Sequence, residues 1–233
     1  MNDRFTRTAM LLGEDAITQL QNKHVAVFGI GGVGSFCAEA LARAGVGALT
    51  LVDDDVVSSS NLNRQLVALQ STVGMLKTEV MAARIKDIAP DCQITVLSRR
   101  YEPQTREDFF GSQYDFIADA IDSVACKTDL IATAMERNVP IISAMGTGNK
   151  LDPTKFVITD LSKTSGCPLA RVMRRELKQR GILHHTVLYS TEPAIKPLFQ
   201  PEEGKTVPGS VAWVPSCAGL MMAGHIIQQL IKP

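Results

Sequence analysis

The chain has 233 residues, 45% of them apolar, which is enough to bury one substantial core and too few for two independent domains of ordinary size. Formal charge sums to zero, yet residues 1–150 hold 14 Lys and Arg against 18 Asp and Glu while residues 151–233 hold 10 against 6, so the second half admits a nucleic-acid partner without requiring one. Cys37, Cys92, Cys126, Cys167 and Cys217 are odd in number and contain no Cys-x-x-Cys pair, which argues against a disulfide framework and a cysteine-rich zinc site.

In chain order, the polar start Met1-Asn-Asp-Arg4 lacks the apolar run of a secretory signal, so a cytosolic protein is expected. Strands are predicted at residues 24–29, 48–53, 93–97, 114–119 and 139–144, alternating with helices, the pattern of a parallel sheet with crossover helices. The helix after the first strand carries Val33, Phe36, Cys37, Ala40, Leu41 and Ala44 at helical spacing and stops at Gly45. Further helices are expected at about 76–88, with Lys77 in the first turn, and from Val124 to Arg137.

From Gly146 the pattern shifts to short extended runs, 156–158 and 187–189, read as an antiparallel extension of the sheet plus a covering segment. An amphipathic helix is predicted from Pro168 to Arg180, with proline at its start and Gly181 at its end. Residues 191–210, rich in Pro, Glu and Gly, read as a mobile loop. The charge-poor stretch from Ser216 to Ile231 falls short of the ~20 residues a membrane span needs, so a core or subunit-interface helix is expected. The fold class is therefore α/β, a doubly wound, mostly parallel sheet in a single domain.

Gly29, Gly31, Gly32 and Gly34 follow the first strand in the dinucleotide-binding spacing, where glycines permit a tight turn and the next helix aims free N–H groups at phosphate. That loop alone is weak. Asp53, ending the second strand, is placed to accept ribose hydroxyls. Beyond it stand Arg64 and Lys77, more cationic charge than a diphosphate needs, suiting ATP whose pyrophosphate must leave. The ordinary alternative for both is a solvated surface charge. Cys37 and Cys92 read as core, Cys126 and Cys167 stay open as nucleophiles only where a nearby lysine or arginine lowers the thiol pKa, and with no Cys/His pairing nearby a catalytic thiol is the minor reading. His184 and His185, being adjacent, point to opposite faces of a strand and read as surface or core.

Together, the Gly-x-Gly-Gly-x-Gly loop, Asp53-Asp-Asp55, Ser60-Asn-Leu-Asn-Arg-Gln65, Lys77 and Asp119-Ala-Ile-Asp122 resemble the ubiquitin-activating-enzyme-like adenylyltransferases. Arg4-Phe-x-x-Thr8, Thr159-Asp-Leu-Ser-Lys-Thr164 and Pro168-Leu-Ala-Arg171 are most similar to the branch acting on threonylcarbamoyladenosine in tRNA. The resemblance spans most of the chain. It implies one adenylation domain over residues 1–233, with an ATP-binding half to residue 150 and a substrate-facing, dimer-forming half beyond it.

The resemblance further implies ATP and Mg²⁺, with Asp122 holding the cation, Asp55 and Asn61 near the triphosphate, and Gln65 touching the nucleotide. The plain alternative for Asp122 is a helix N-cap, and for Asn61 and Gln65 a turn. Arg7 is implied as a residue reaching a neighbour's γ-phosphate across a homodimer interface, a role suited to a planar, permanent charge. Arg171, Arg174, Arg175 and Lys178 cluster on the predicted amphipathic helix, either as a tRNA-binding face or as a solvated one. The implied reaction is ATP-dependent cyclisation of the tRNA base. Three alternatives remain open: adenylation of a sulfur-carrier protein's C-terminal glycine, a nucleotide-binding module without chemistry, and a nicotinamide dehydrogenase. A sulfur-transfer protein partner is also admitted, and no membrane is expected.

Overall fold

The computed structural model describes residues 3–200 and 207–232. Seven strands form one sheet in the order β3-β2-β1-β4-β5-β7-β6. Five of them, β1 (His24–Phe28), β2 (Ala48–Val52), β3 (Gln93–Leu97), β4 (Phe116–Asp119) and β5 (Ile141–Ala144), run parallel. β7 (Thr186–Ser190) continues parallel to β5, and β6 (Phe156–Asp160) pairs with it antiparallel, as the change of pattern after Gly146 predicts. One sheet thus joins both halves of the chain.

β1 shows why the sheet is doubly wound. Val25 and Val27 enter the core on one face, Ala26 and Phe28 the core on the other. A strand with side chains alternating between two buried faces must be covered on both. α3 (Gly34–Ala44) packs with α4 (Lys77–Ile88) and α7 (Trp213–Leu230) on the first face, α5 (Val124–Glu136) with α6 (Pro168–Gln179) on the second. α3 stops at Gly45 in the left-handed conformation, φ 99°.

Two helices precede β1 that no sequence signal announces, α1 (Thr6–Leu12) and α2 (Glu14–Gln21), separated at Gly13. Phe5, Ala9 and Ile17 form a small apolar cluster there. β4 and β5 begin two residues later than expected, and Pro140, which has no N–H to donate, precedes β5. Of the expected loop, residues 191–200 and 207–210 carry no helix or strand, and residues 201–206 lie outside the described residues. Among the described residues no helix is long and apolar enough to cross a membrane; the apolar run forms α7, which buries Val214, Ala218, Met222 and Ile226. A Cβ at Gly219 would lie 2.2 Å from the Val33 carbonyl, so α7 crosses the start of α3 at an approach only glycine allows.

Candidate active site

The sheet order reverses between β1 and β4, and a cleft of about 700 Å³ opens at the carboxyl ends of these strands, where such sheets bind ligands. The glycine loop forms one wall. Gly29 adopts φ +87°, and a Cβ there would stand 2.7 Å from the Ala120 carbonyl oxygen. A Cβ at Gly34 would fall 1.7 Å from the Gly29 oxygen, so the loop folds on itself as α3 begins.

The cleft gathers most of the residues expected from the sequence. Gly29, Gly31, Gly32, Asp53, Asp55, Asn61, Arg64, Gln65, Lys77 and Asp122 all line it, and Gly34 acts one step behind, where the loop touches itself. Asp53 Oδ2 accepts the Ile30 N–H at 2.6 Å and Oδ1 the Asp55 N–H at 2.9 Å. Burial pushes the Asp53 carboxyl above its ordinary value, opposed by the Ile30 amide and the Lys77 charge. Lys77 is buried and its Nζ meets Asp55 Oδ2 at 2.6 Å, which holds the ammonium against a carboxylate that also lines the cleft.

Arg64 donates to the Ser60 carbonyl and to Asn63 Oδ1, both at 2.9 Å. Asn61 Oδ1 accepts the Ser58 N–H, the turn-forming role that its residue type allows, while its side chain still faces the cleft. Gln65 Oε1 is buried in the wall, with no hydrogen-bond partner among the described residues. An orphaned acceptor there is a place for a ligand donor. Asp122 is exposed, on the loop between β4 and α5.

Arg7 does not line the cleft; it stands exposed on α1. The basic cluster lies on α6, also away from the cleft lining. Arg171, Arg175 and Lys178 are exposed there, with Arg175 paired to Glu176 at 2.7 Å. Arg174 turns inward and donates to the carbonyl and hydroxyl of Thr164, so it braces the segment before α6.

Sequence reasoning missed Arg99, Arg100 and Tyr101, which line the cleft just after β3. They were findable by the rule that singled out Asp53, since both groups follow a strand at its carboxyl end. Pro215, in the first turn of α7, also lines the cleft, and no local signal places it there. Cys126 lines it as well, beside Arg100. Burial pushes the Cys37 thiol up to about 12 and raises Cys92, as core cysteines require. His184 is exposed and bonds Asp160, whereas His185 is buried against Ser143.

The chain matches the ThiF family over residues 5–233. It is 44% identical over 244 residues to the tRNA threonylcarbamoyladenosine dehydratase of Bacillus subtilis, covering 100% of this chain and 96% of that protein. The crystal structure of the E. coli tRNA N6-threonylcarbamoyladenosine dehydratase in complex with ATP superposes with a TM-score of 0.90 at 38% identity, covering 98% of this chain and 93% of the other. The sulfur carrier protein ThiS adenylyltransferase of E. coli is more distant, 34% identical over 159 residues, or 65% of this chain and 63% of its own length.

Proposed function

The chain belongs to the ThiF family, and from that membership we propose that it is a tRNA threonylcarbamoyladenosine dehydratase, an ATP-dependent enzyme of the cytosol. The observation that carries the reading is the convergence of the glycine loop, Arg64, Lys77 and Asp122 on one cleft at the carboxyl edge of the sheet. A nicotinamide site needs no such cations beyond its ribose carboxylate.

In the reaction, the carboxylate of the modified base attacks the α-phosphate of ATP, and pyrophosphate leaves. The carbamoyl oxygen then attacks the activated carbonyl and expels AMP, which keeps one former carboxylate oxygen while the carbamoyl nitrogen gives up its proton. The base has lost one water and gained a ring. Because the closure is intramolecular, positioning supplies much of its rate and no protein nucleophile is needed.

Each Asp53 oxygen retains a lone pair beyond its backbone bond, available to a ribose hydroxyl. Lys77, paired with Asp55, and Arg64 hold the phosphates and stabilise the departing pyrophosphate. Gln65 and Asn61 complete the nucleotide site. The donor set fits Mg²⁺, a hard cation preferring carboxylate oxygens. Carboxylate oxygens of Asp53, Asp54 and Asp55 lie within 4.8 Å of one another, but backbone amides engage Asp53 and Lys77 engages Asp55; the cation is assigned instead to the exposed Asp122, on the strength of the family resemblance, with Asp54 as another exposed carboxylate of the cleft. Mg²⁺ supplies charge neutralisation on the phosphates when bound.

The enzyme works as a homodimer in which Arg7 of one chain reaches the neighbour's nucleotide. The tRNA backbone lies along the exposed face of α6. The test is incubation with ATP, Mg²⁺ and tRNA bearing threonylcarbamoyladenosine, followed by mass analysis of the nucleosides. Loss of one water from the modified base is expected. An unchanged base, together with adenylation of an added sulfur-carrier protein, would reverse the assignment.

A further inference from the structure

Beneath the cleft lies an ion pair sealed from solvent on both sides. Lys127 Nζ stands 2.8 Å from Asp119 Oδ2, and each side chain is 0% exposed. The fold does not call for charge here, because β4 and α5 also contribute Ile117, Leu130 and Ile131 to a shared apolar core. An apolar pair of similar volume is often as stable as a buried ion pair or more so.

The geometry around the pair gives it a use. The other Asp119 oxygen, Oδ1, accepts the Ile121 N–H at 3.1 Å, closing the turn that leads into Asp122. The Lys127 backbone N–H donates to the Ser123 carbonyl at 2.9 Å. Lys127 therefore grips the loop at both ends, through its side chain at Asp119 and its backbone at Ser123, with Asp122 between them. Among the described residues no second cation pairs with Asp119. The adjacent strand offers Ser143, opposite Asp119, whose hydroxyl bonds His185 Nε2 at 2.8 Å. Burial and the Lys127 charge hold His185 down to about 3, so it stays neutral.

We propose that Lys127 is a positioning residue of the nucleotide site, fixing the Asp119 carboxylate so that the turn from 119 to 123 presents Asp122 to the cation of MgATP. The inference rests on the reading of Asp122 as the cation ligand. Lys127 touches no substrate; it acts through Asp119 and the Ile121 amide, as partners of metal ligands commonly do.

Removing Lys127 alone leaves a buried, unpaired carboxylate and endangers the fold. The test is therefore the double variant Asp119→Asn/Lys127→Met, which removes both charges at nearly constant volume. The asparagine can still face Ile121, but nothing fixes which of its two ends does so. We expect the variant to fold and to bind ATP in EDTA like the parent, while the Mg²⁺ concentration for half-maximal enhancement of ATP binding, read by calorimetry, rises about 10- to 100-fold. A folded variant with parental Mg²⁺ dependence overturns the proposal, because a merely structural pair would give that result. If the variant does not fold, residue-resolved hydrogen exchange on the parent decides: a protected Ile121 amide supports the proposal, and exchange at the rate of unstructured chain overturns it. ATP binding by the parent that ignores Mg²⁺ would overturn the reading of Asp122, and this inference with it.

Discussion

The carboxylate of Asp53, at the end of β2, accepts the backbone N–H of Ile30 at 2.6 Å, so the residue expected to hold ribose also anchors the glycine loop. Removing it should disturb two things at once. Asp53→Ala is expected to lower stability by about 1.5–3 kcal/mol, the usual worth of a hydrogen bond to a charged group, and to weaken ATP binding. Chemical denaturation and calorimetry measure the two effects separately; full stability in the variant would show that the loop stands without Asp53.

Asp122 is exposed, so Asp122→Asn should keep stability within about 0.5 kcal/mol of the parent. Turnover at limiting Mg²⁺ should fall by about two orders of magnitude, since the amide cannot neutralise the ion. Carboxylate-driven exchange of pyrophosphate into ATP, followed across a Mg²⁺ titration, reads the change. Parental turnover at every concentration would remove Asp122 from the cation site.

Arg7 lies on α1 and outside its own chain's cleft, which makes a role across an interface testable by complementation. At limiting Mg²⁺, Arg7→Ala and Asp122→Asn should each keep no more than about a hundredth of parental turnover. A random one-to-one mixture that exchanges subunits should recover about a quarter of parental activity, because half the dimers are mixed and each retains one intact site. Mixed dimers confirmed by mass analysis but lacking activity would exclude Arg7 from the neighbour's site.

The α6 cations are expected to divide by their surroundings. Neutralising Arg171, Arg175 and Lys178 should weaken tRNA binding and reduce the log–log salt slope by about 0.7–0.9 for each phosphate that the variant no longer neutralises. Arg174→Ala should instead lower stability, because that guanidinium is bonded to Thr164. Filter binding at several salt concentrations reads the first effect and denaturant melts the second. Equal slopes in the triple variant and the parent would mark the helix as a solvated face.

His185 makes acid stability a further test. Its pKa in the fold is about 3 against an ordinary 6.5, so the unfolded chain binds the extra proton first. Its contribution is complete above pH 6.5 and is lost as pH falls toward 3, at up to about 1.4 kcal/mol per pH unit. His185→Gln should flatten that part of the stability curve, as seen by denaturant melts at successive pH values. His24 and His225, also lowered by burial, contribute in the same direction.

The sheet was legible because short apolar runs of strand length and glycine-stopped helices are local signals: β1 follows from its continuous run, α3 and α6 from helical spacing. The cleft was legible for a related reason, since Gly29, Asp53 and Asp122 each follow the end of a strand and must meet at one edge. What escaped was non-local. Pro215 reaches the cleft from the far end of the sequence, and α1 and α2 are short helices, the first of which leaves Met10 and Leu11 exposed. The Asp119–Lys127 pair escaped too, because eight residues of spacing across a strand end and a helix do not reveal that two charges will be buried together. The folding back of Arg174 depends on the path of Thr164, which periodicity does not describe.

The crossing of α7 over α3 sets an order on the making of the protein. The helix that lines the cleft through Pro215 and covers one face of the sheet through Ala218, Met222 and Ile226 is the last described element to leave the ribosome. Until it docks, the start of α3 beside Val33 faces water and the nucleotide wall is incomplete. Pairings between such distant parts of a chain form late, and the apolar surface awaiting them is prone to association. During synthesis, therefore, nucleotide capture should wait for α7 to dock, and chains halted before Trp213 should aggregate without competing for ATP.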